Sequence, residues 1–185
     1  MKNLVVLLLL VFAVSFVQPA SACVGKTLYV GITGTTQEML FAEIIAQLVT
    51  ERTGTTVKIL EFKGDTELYN AVKKGEVGVL VENTERALHH LNLKEDNSKQ
   101  AYDLAKKEYR KNLNLVWLEP FGTSRPSAPV ISVDTMGHLP ALPKLLNKLA
   151  GVLNDDTYGK LLKSLKSDEK PRKIARDFLK AKKLI

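Results

Sequence analysis

The sequence predicts an α/β fold: a mostly parallel sheet with helices on both faces. Three observations carry this. Strand-like segments alternate with helix-like segments along most of the chain. Val77–Val81 is a short, nearly continuous apolar run, which suits a strand covered on both faces. Capping residues and prolines stand where the helical periods begin, and Gly54 and Gly75 where two of them end.

Thr27–Ile32 alternates and is rich in β-preferring residues, so it reads as the first strand. Gly31-Ile-Thr-Gly34 is a turn. Thr35 and Glu38 then form a capping box: the hydroxyl takes an orphan backbone N–H and the carboxylate reaches back. Met39, Phe41, Ala42, Ile45, Ala46, Leu48 and Val49 follow at mostly helical spacing, up to Thr53-Gly54. Thr56–Phe62 is the second strand. Gly64-Asp-Thr66 opens a helix with Leu68, Tyr69, Ala71 and Val72 on its apolar face. Val77–Val81 is the third strand. Asn83-Thr84 starts a helix that runs to about Leu91.

Lys94–Asn97 is polar loop, and Ala101–Tyr109 a charged surface helix. Leu113–Leu118 reads as a fourth strand ending at Pro120-Phe-Gly122. Thr123–Pro129 is rich in Ser and Pro and reads as linker or hinge, followed by a short fifth strand at Val130–Val133. Leu142–Leu153, Thr157–Leu165 and Pro171–Lys183 are helical. Such alternation implies right-handed crossovers. Ligands of such sheets sit beyond the carboxyl ends of the strands. Segments 32–36, 82–85 and 119–122 belong there.

The chain has 185 residues, 45% of them hydrophobic and 25% charged, which excludes a disordered chain. A single cysteine excludes a disulfide scaffold. No solenoid-length repeat is visible. Residues 1–22 read as a secretory signal: Lys2 first, an apolar run from Leu4 to Val17, then Pro19 and the small residues Ala20-Ser-Ala22. The run is shorter than the roughly 20 residues of a transmembrane helix.

Two readings fit Cys23. One is plain cleavage after Ala22. The other is a lipoprotein signal, with Cys23 lipidated as the mature N-terminus. A lone thiol in an oxidising compartment is a liability, which favours lipidation. Either way the protein is expected in the periplasm, or anchored to a membrane outside the cytoplasm. Residues 23–185 then form one domain. The net charge is +7. Export argues against a nucleic-acid partner, so the basic excess points to anionic lipid headgroups.

Gly31, Gly34, Thr35 and Thr36 could cradle an anion at a helix N-terminus. The Gly-Lys-Ser/Thr end of a P-loop is missing, and capping alone accounts for Thr35 and Glu38. Glu85 and His89 have the spacing of two metal ligands, but a closed site needs more, and a solvated helix face explains both. Trp117 reads as core or hinge packing rather than a cation platform, and Tyr29 and Tyr69 as half-buried. Asn83 is explained as an N-cap. The bases Arg172, Lys173, Arg176, Lys180, Lys182 and Lys183 read as a solvated face, or as a membrane or partner contact. No nucleophile elbow, zinc-protease motif or Ser-His-Asp set is present, so no enzyme, metal or cofactor is expected.

Several segments, in order, resemble the substrate-binding proteins of ABC importers for glycine betaine, choline and related quaternary amines. They are Val30-Gly31 with Ala42–Leu48, Gly64-Asp-Thr66, Ala71–Val77, Val81–Thr84, Ala128–Ile131 and Ile174–Lys180. The resemblance implies a single lobe of a type II periplasmic-binding-protein-like fold. It also implies an ABC permease partner and a small quaternary-amine ligand.

Two departures go with it. The family inserts a second lobe where residues 123–129 here form only a short bridge. And the family's aromatic cage, whose π faces attract a cation that cannot donate strong hydrogen bonds, loses its Tyr to Asn83. A family Lys that could hold a ligand carboxylate falls on Thr33. The family writes Glu-Tyr-Thr-Gly where residues 82–85 stand, so its Gly falls on Glu85, and the acid of its Gly-Glu-x-Asp falls on Gly78, while Glu82 and Thr84 remain.

The expected function is an exported, one-lobed substrate-binding component. Thr33, Asn83 and Thr84 would line the remaining pocket, Cys23 would be the anchor, and a dimer or a separate second-lobe partner would complete the cleft. The alternative is an envelope interaction or regulatory module that has lost its ligand.

Overall fold

The computed structural model describes residues 27–93, 99–121, 127–165 and 169–185. Residues 1–22, read as a secretory signal, Cys23, the loop at 94–97 and the front of the bridge at 123–126 lie outside the described residues. Among the described residues five strands form one sheet: β1 (Thr27–Ile32), β2 (Thr56–Glu61), β3 (Val79–Asn83), β4 (Leu115–Trp117) and β5 (Ser127–Ser132), in the order β2-β1-β3-β5-β4. The pairs β1–β2 and β1–β3 are parallel, with Thr27 opposite Thr56 and Val30 opposite Val79. β5 runs antiparallel to both its neighbours, with Leu80 opposite Val130 and Val116 opposite Ile131.

The reversal of β5 follows from its connection. Parallel neighbours need a crossover of about a dozen residues. Here Phe121 and Ser127 already exchange backbone hydrogen bonds at 2.7 and 3.0 Å, so the chain turns straight back. β5 also starts earlier than its apolar letters suggest. Ser127–Pro129, read as bridge, is strand, and Val133 opens a helix instead.

The helices are α1 (Thr36–Thr53), α2 (Asp65–Lys73), α3 (Thr84–His90), α4 (Lys99–Leu113), α5 (Val133–His138), α6 (Leu142–Leu146), α7 (Asp155–Ser164) and α8 (Pro171–Ala181). The Thr35/Glu38 capping box is present, and Gly54 closes α1 in the left-handed conformation at φ +70°. α4 is longer than predicted. It buries Ala101, Ala105, Tyr109 and Leu113 at a period of four. α6 is shorter than predicted and passes into a 3₁₀ turn at Asn147–Leu149.

The sheet is covered on both faces. Val79 and Val81 pack with α1, α6, α7 and α8 on one side, and Leu80 packs with α2, α3 and α4 on the other. That is why β3 is apolar at successive positions. α8 lies against α1. It buries Ile174, Ala175, Phe178 and Leu179, worth roughly 1.5–3 kcal/mol for each large side chain. Its basic residues face outward. No helix among the described residues is long and apolar enough to cross a membrane.

Candidate functional site

β1, β2, β3 and β4 point their carboxyl ends to one edge of the sheet, where β5 begins. Three acids gather at this edge around one base. Arg86 lies in the first turn of α3, and its guanidinium reaches back over the end of β3. Its Nε donates to both carboxylate oxygens of Glu82 at 2.9 Å. Nη2 donates to the Val81 carbonyl at 2.7 Å. Nη1 pairs with Glu38 and lies 3.9 Å from Asp65 at the start of α2. The Glu82 side chain is fully buried, and those of Glu38 and Arg86 are 12% and 16% exposed.

Burial pushes the Glu82 carboxyl above its ordinary value, against the opposing pull of Arg86 and Tyr69. Burial also acts to raise Glu38. The Thr33 hydroxyl and Arg86 together outweigh it and hold that carboxyl low. The guanidinium is held charged by Glu82 and Glu38 despite its burial. Behind this cluster the Tyr69 hydroxyl donates to Glu82 and lies 2.7 Å from the Tyr109 hydroxyl. Tyr69 is 1% exposed, which corrects the half-buried reading. Tyr29 is half-buried as expected.

The expected pocket residues come to the same edge. Thr33 follows β1 and donates from its backbone N–H and its hydroxyl to Glu38 Oε2, at 3.0 and 2.7 Å. Asn83 ends β3, and its side-chain oxygen accepts from the Arg86 N–H at 2.9 Å as an N-cap. Thr84 is 6% exposed. Thr33 and Asn83 are thus linked through the Glu38–Arg86 pair. Cys23 lies outside the described residues.

Sequence reasoning missed Arg86. The four-residue spacing of Glu82 and Arg86 was a visible signal. The reach of Arg86 to Glu38, 48 residues away, was not. His90 faces inward and stacks on Tyr69 at 3.5 Å between ring centroids, while His89 is exposed. Among the described residues no group of three or more His, Cys, Asp or Glu side chains could hold a metal. Trp117 is 5% exposed and meets Tyr102 and Tyr109 edge-on, as core packing.

A cavity of about 620 Å³ opens at the opposite end of the sheet. It is lined by the start of β1, Lys73 and Lys74 after α2, Asn114 and the Ser132–Thr135 turn.

The family described as the substrate binding domain of ABC-type glycine betaine transport systems matches residues 26–125. Comparison with curated proteins returns no match. Among solved structures, apo YehZ from Escherichia coli superposes with a TM-score of 0.74 at 14% identity, covering 86% of this chain and 99% of that one. A glycine betaine/carnitine/choline ABC transporter structure gives 0.74 at 10% identity, covering 85% and 99%. At these identities the likeness is one of fold: the sheet and its helices form a single lobe of the periplasmic-binding-protein type.

Proposed function

The chain belongs to the family of substrate-binding domains of ABC-type glycine betaine transport systems, and from that membership we propose that it is an exported, one-lobed substrate-binding component. It is a binding protein, not an enzyme. Its ligand is a small quaternary amine and its partner an ABC permease. Residues 1–22 direct export, and Cys23 becomes the mature N-terminus or its lipid anchor. The ligand's seat is the carboxyl-end edge, lined by Thr33, Asn83 and Thr84. A second copy or a separate partner supplies the facing wall.

One observation supports the one-lobed reading above others. Phe121 and Ser127 are hydrogen-bonded to each other at that same edge. The residues between them are too few to form a second lobe, since domains typically run to about 50 residues or more. The test is a thermal-shift screen of the purified protein against betaine, choline, carnitine, proline betaine and amino acids. A ligand at 100 times its dissociation constant adds about 2.7 kcal/mol of stability. One cation giving a clear, saturable shift supports the reading. No shift with any solute, at concentrations that stabilise a two-lobed relative, sinks it.

One feature favours the second reading, an envelope interaction module without a small ligand. The acids at the edge already hold a cation, Arg86. Co-purification of an envelope protein, with no solute response, would support that reading.

A further inference from the structure

We propose that Arg86 is a tethered cation that fills the acid-lined cradle at the strand ends, and so decides whether a free organic cation is admitted there. The inference concerns the same edge as the proposed ligand seat but stands whether or not a solute binds there. Glu38, Asp65 and Glu82 come from three different elements and converge on one guanidinium. Such a cradle, emptied of Arg86, is built for an organic cation.

The cradle suits a guanidinium better than a quaternary ammonium. Glu82 takes Nε and the Val81 carbonyl takes Nη2, so both use directional N–H donors. A quaternary ammonium has no N–H and would leave these acceptors unpaired. Arg86 is also attached to the first turn of α3, and Asn83 caps that turn through the Arg86 backbone N–H. Tethering makes its entry intramolecular. A free cation must therefore compete against a high effective concentration. With Arg86 present the cradle of acids is filled, so a quaternary amine at this edge sits outside it, against Thr33, Asn83 and Thr84. With the Arg86 side chain removed the cradle becomes a seat for a cation of the guanidinium class.

The experiment uses the full chain and its Arg86→Ala variant. Thermal unfolding is followed with increasing methylguanidinium, and with sodium chloride, methylurea and tetramethylammonium as comparisons. Arg86→Ala is expected to melt below the wild type and to recover saturably with methylguanidinium. Methylurea, of the same shape without the charge, should not restore it, and the wild type should respond no more than to salt. Two results overturn the proposal: Arg86→Ala melting with the wild type, or methylguanidinium restoring no more than methylurea or salt.

If Arg86→Ala does not fold, Glu82→Gln/Arg86→Met removes the buried acid together with its cation. That variant is expected to fold and to ignore methylguanidinium. Its failure to fold also overturns the proposal. The outcomes separate from those of the solute screen. Rescue of Arg86→Ala, beside a wild type that no solute of the screen stabilises, keeps this inference and sinks solute binding. A wild type that binds a quaternary amine, with no rescue of the variant, does the reverse.

Discussion

Glu38 and Arg86, 48 residues apart, form an ion pair that ties the end of β1 to the end of β3. The pair does two local jobs as well. Glu38 closes the capping box of α1, and Arg86 is the residue whose N–H Asn83 caps at the start of α3. One contact thus joins two helix starts and two strand ends at the edge proposed as the ligand's seat.

Glu38→Gln should therefore cost stability. Breaking a buried pair costs about 3–5 kcal/mol. Both side chains keep some exposure here, so a loss of about 1–3 kcal/mol is expected. The pH dependence has a definite sign. The Glu38 carboxyl is held below its ordinary value of 4.5. Its contribution is therefore complete above that value and is lost as pH falls through the folded-state value. Urea unfolding near neutrality and in acid should show the gap between wild type and variant closing in acid. A gap that widened there would contradict the assignment.

His90 should make the fold sensitive to mild acid. Burial, then Lys73, lowers its imidazole from 6.5. A lowered value means the unfolded chain takes up the proton first. The His90 contribution is thus present above 6.5 and is lost as pH falls. His90→Phe keeps a ring against Tyr69 without the titration. Its melting temperature should vary less than the wild type's between about pH 7.5 and 5.5, as a scan at several pH values would show.

Gly31→Ala should destabilise through crowding. A Cβ at Gly31 would come within 2.5 Å of Leu68 Cδ1 and 2.9 Å of Val77 Cγ1, both in buried side chains. Overpacking of this kind costs about 1–3 kcal/mol. Chemical denaturation would detect it. A variant as stable as the wild type would mean that α2 yields more readily than its packing suggests.

Two tyrosines should respond in opposite ways to loss of the hydroxyl. Tyr69 gives its hydrogen bond to Glu82, so Tyr69→Phe should cost about 1–3 kcal/mol by leaving a buried acid short of a donor. Among the described residues the buried Tyr102 hydroxyl has no hydrogen-bond partner, so Tyr102→Phe should be neutral or stabilising. Equal losses at both positions in urea unfolding would refute this contrast.

Leu179→Ala tests whether α8 is integral to the lobe. Leu179 is fully buried against α1. A cavity there should cost about 2–5 kcal/mol, with a single cooperative transition retained. A separate early transition would mean that α8 unfolds independently.

The local features were legible in the chain. Thr35 with Glu38, Asn83, and Pro171 mark helix starts because capping depends on residues only a few positions apart. The apolar run at Val79–Val81 marked a strand covered twice. Thr33, Asn83 and Thr84 were placed at one edge because strand ends of a largely parallel sheet must share it.

What sequence reading did not reach depends on partners far along the chain. β5 runs backward because its connection from β4 is short and because β3 and β4 flank it, a matter of pairing rather than periodicity. Tyr69 is buried, not half-buried, because Tyr109 of α4 closes over it, and no local pattern at Tyr69 contains α4. Arg86 carries no local mark beyond its four-residue spacing from Glu82. Only folding brings Glu38, Asp65 and Glu82 within reach of it, since opposite charges find one another through space and not through sequence spacing.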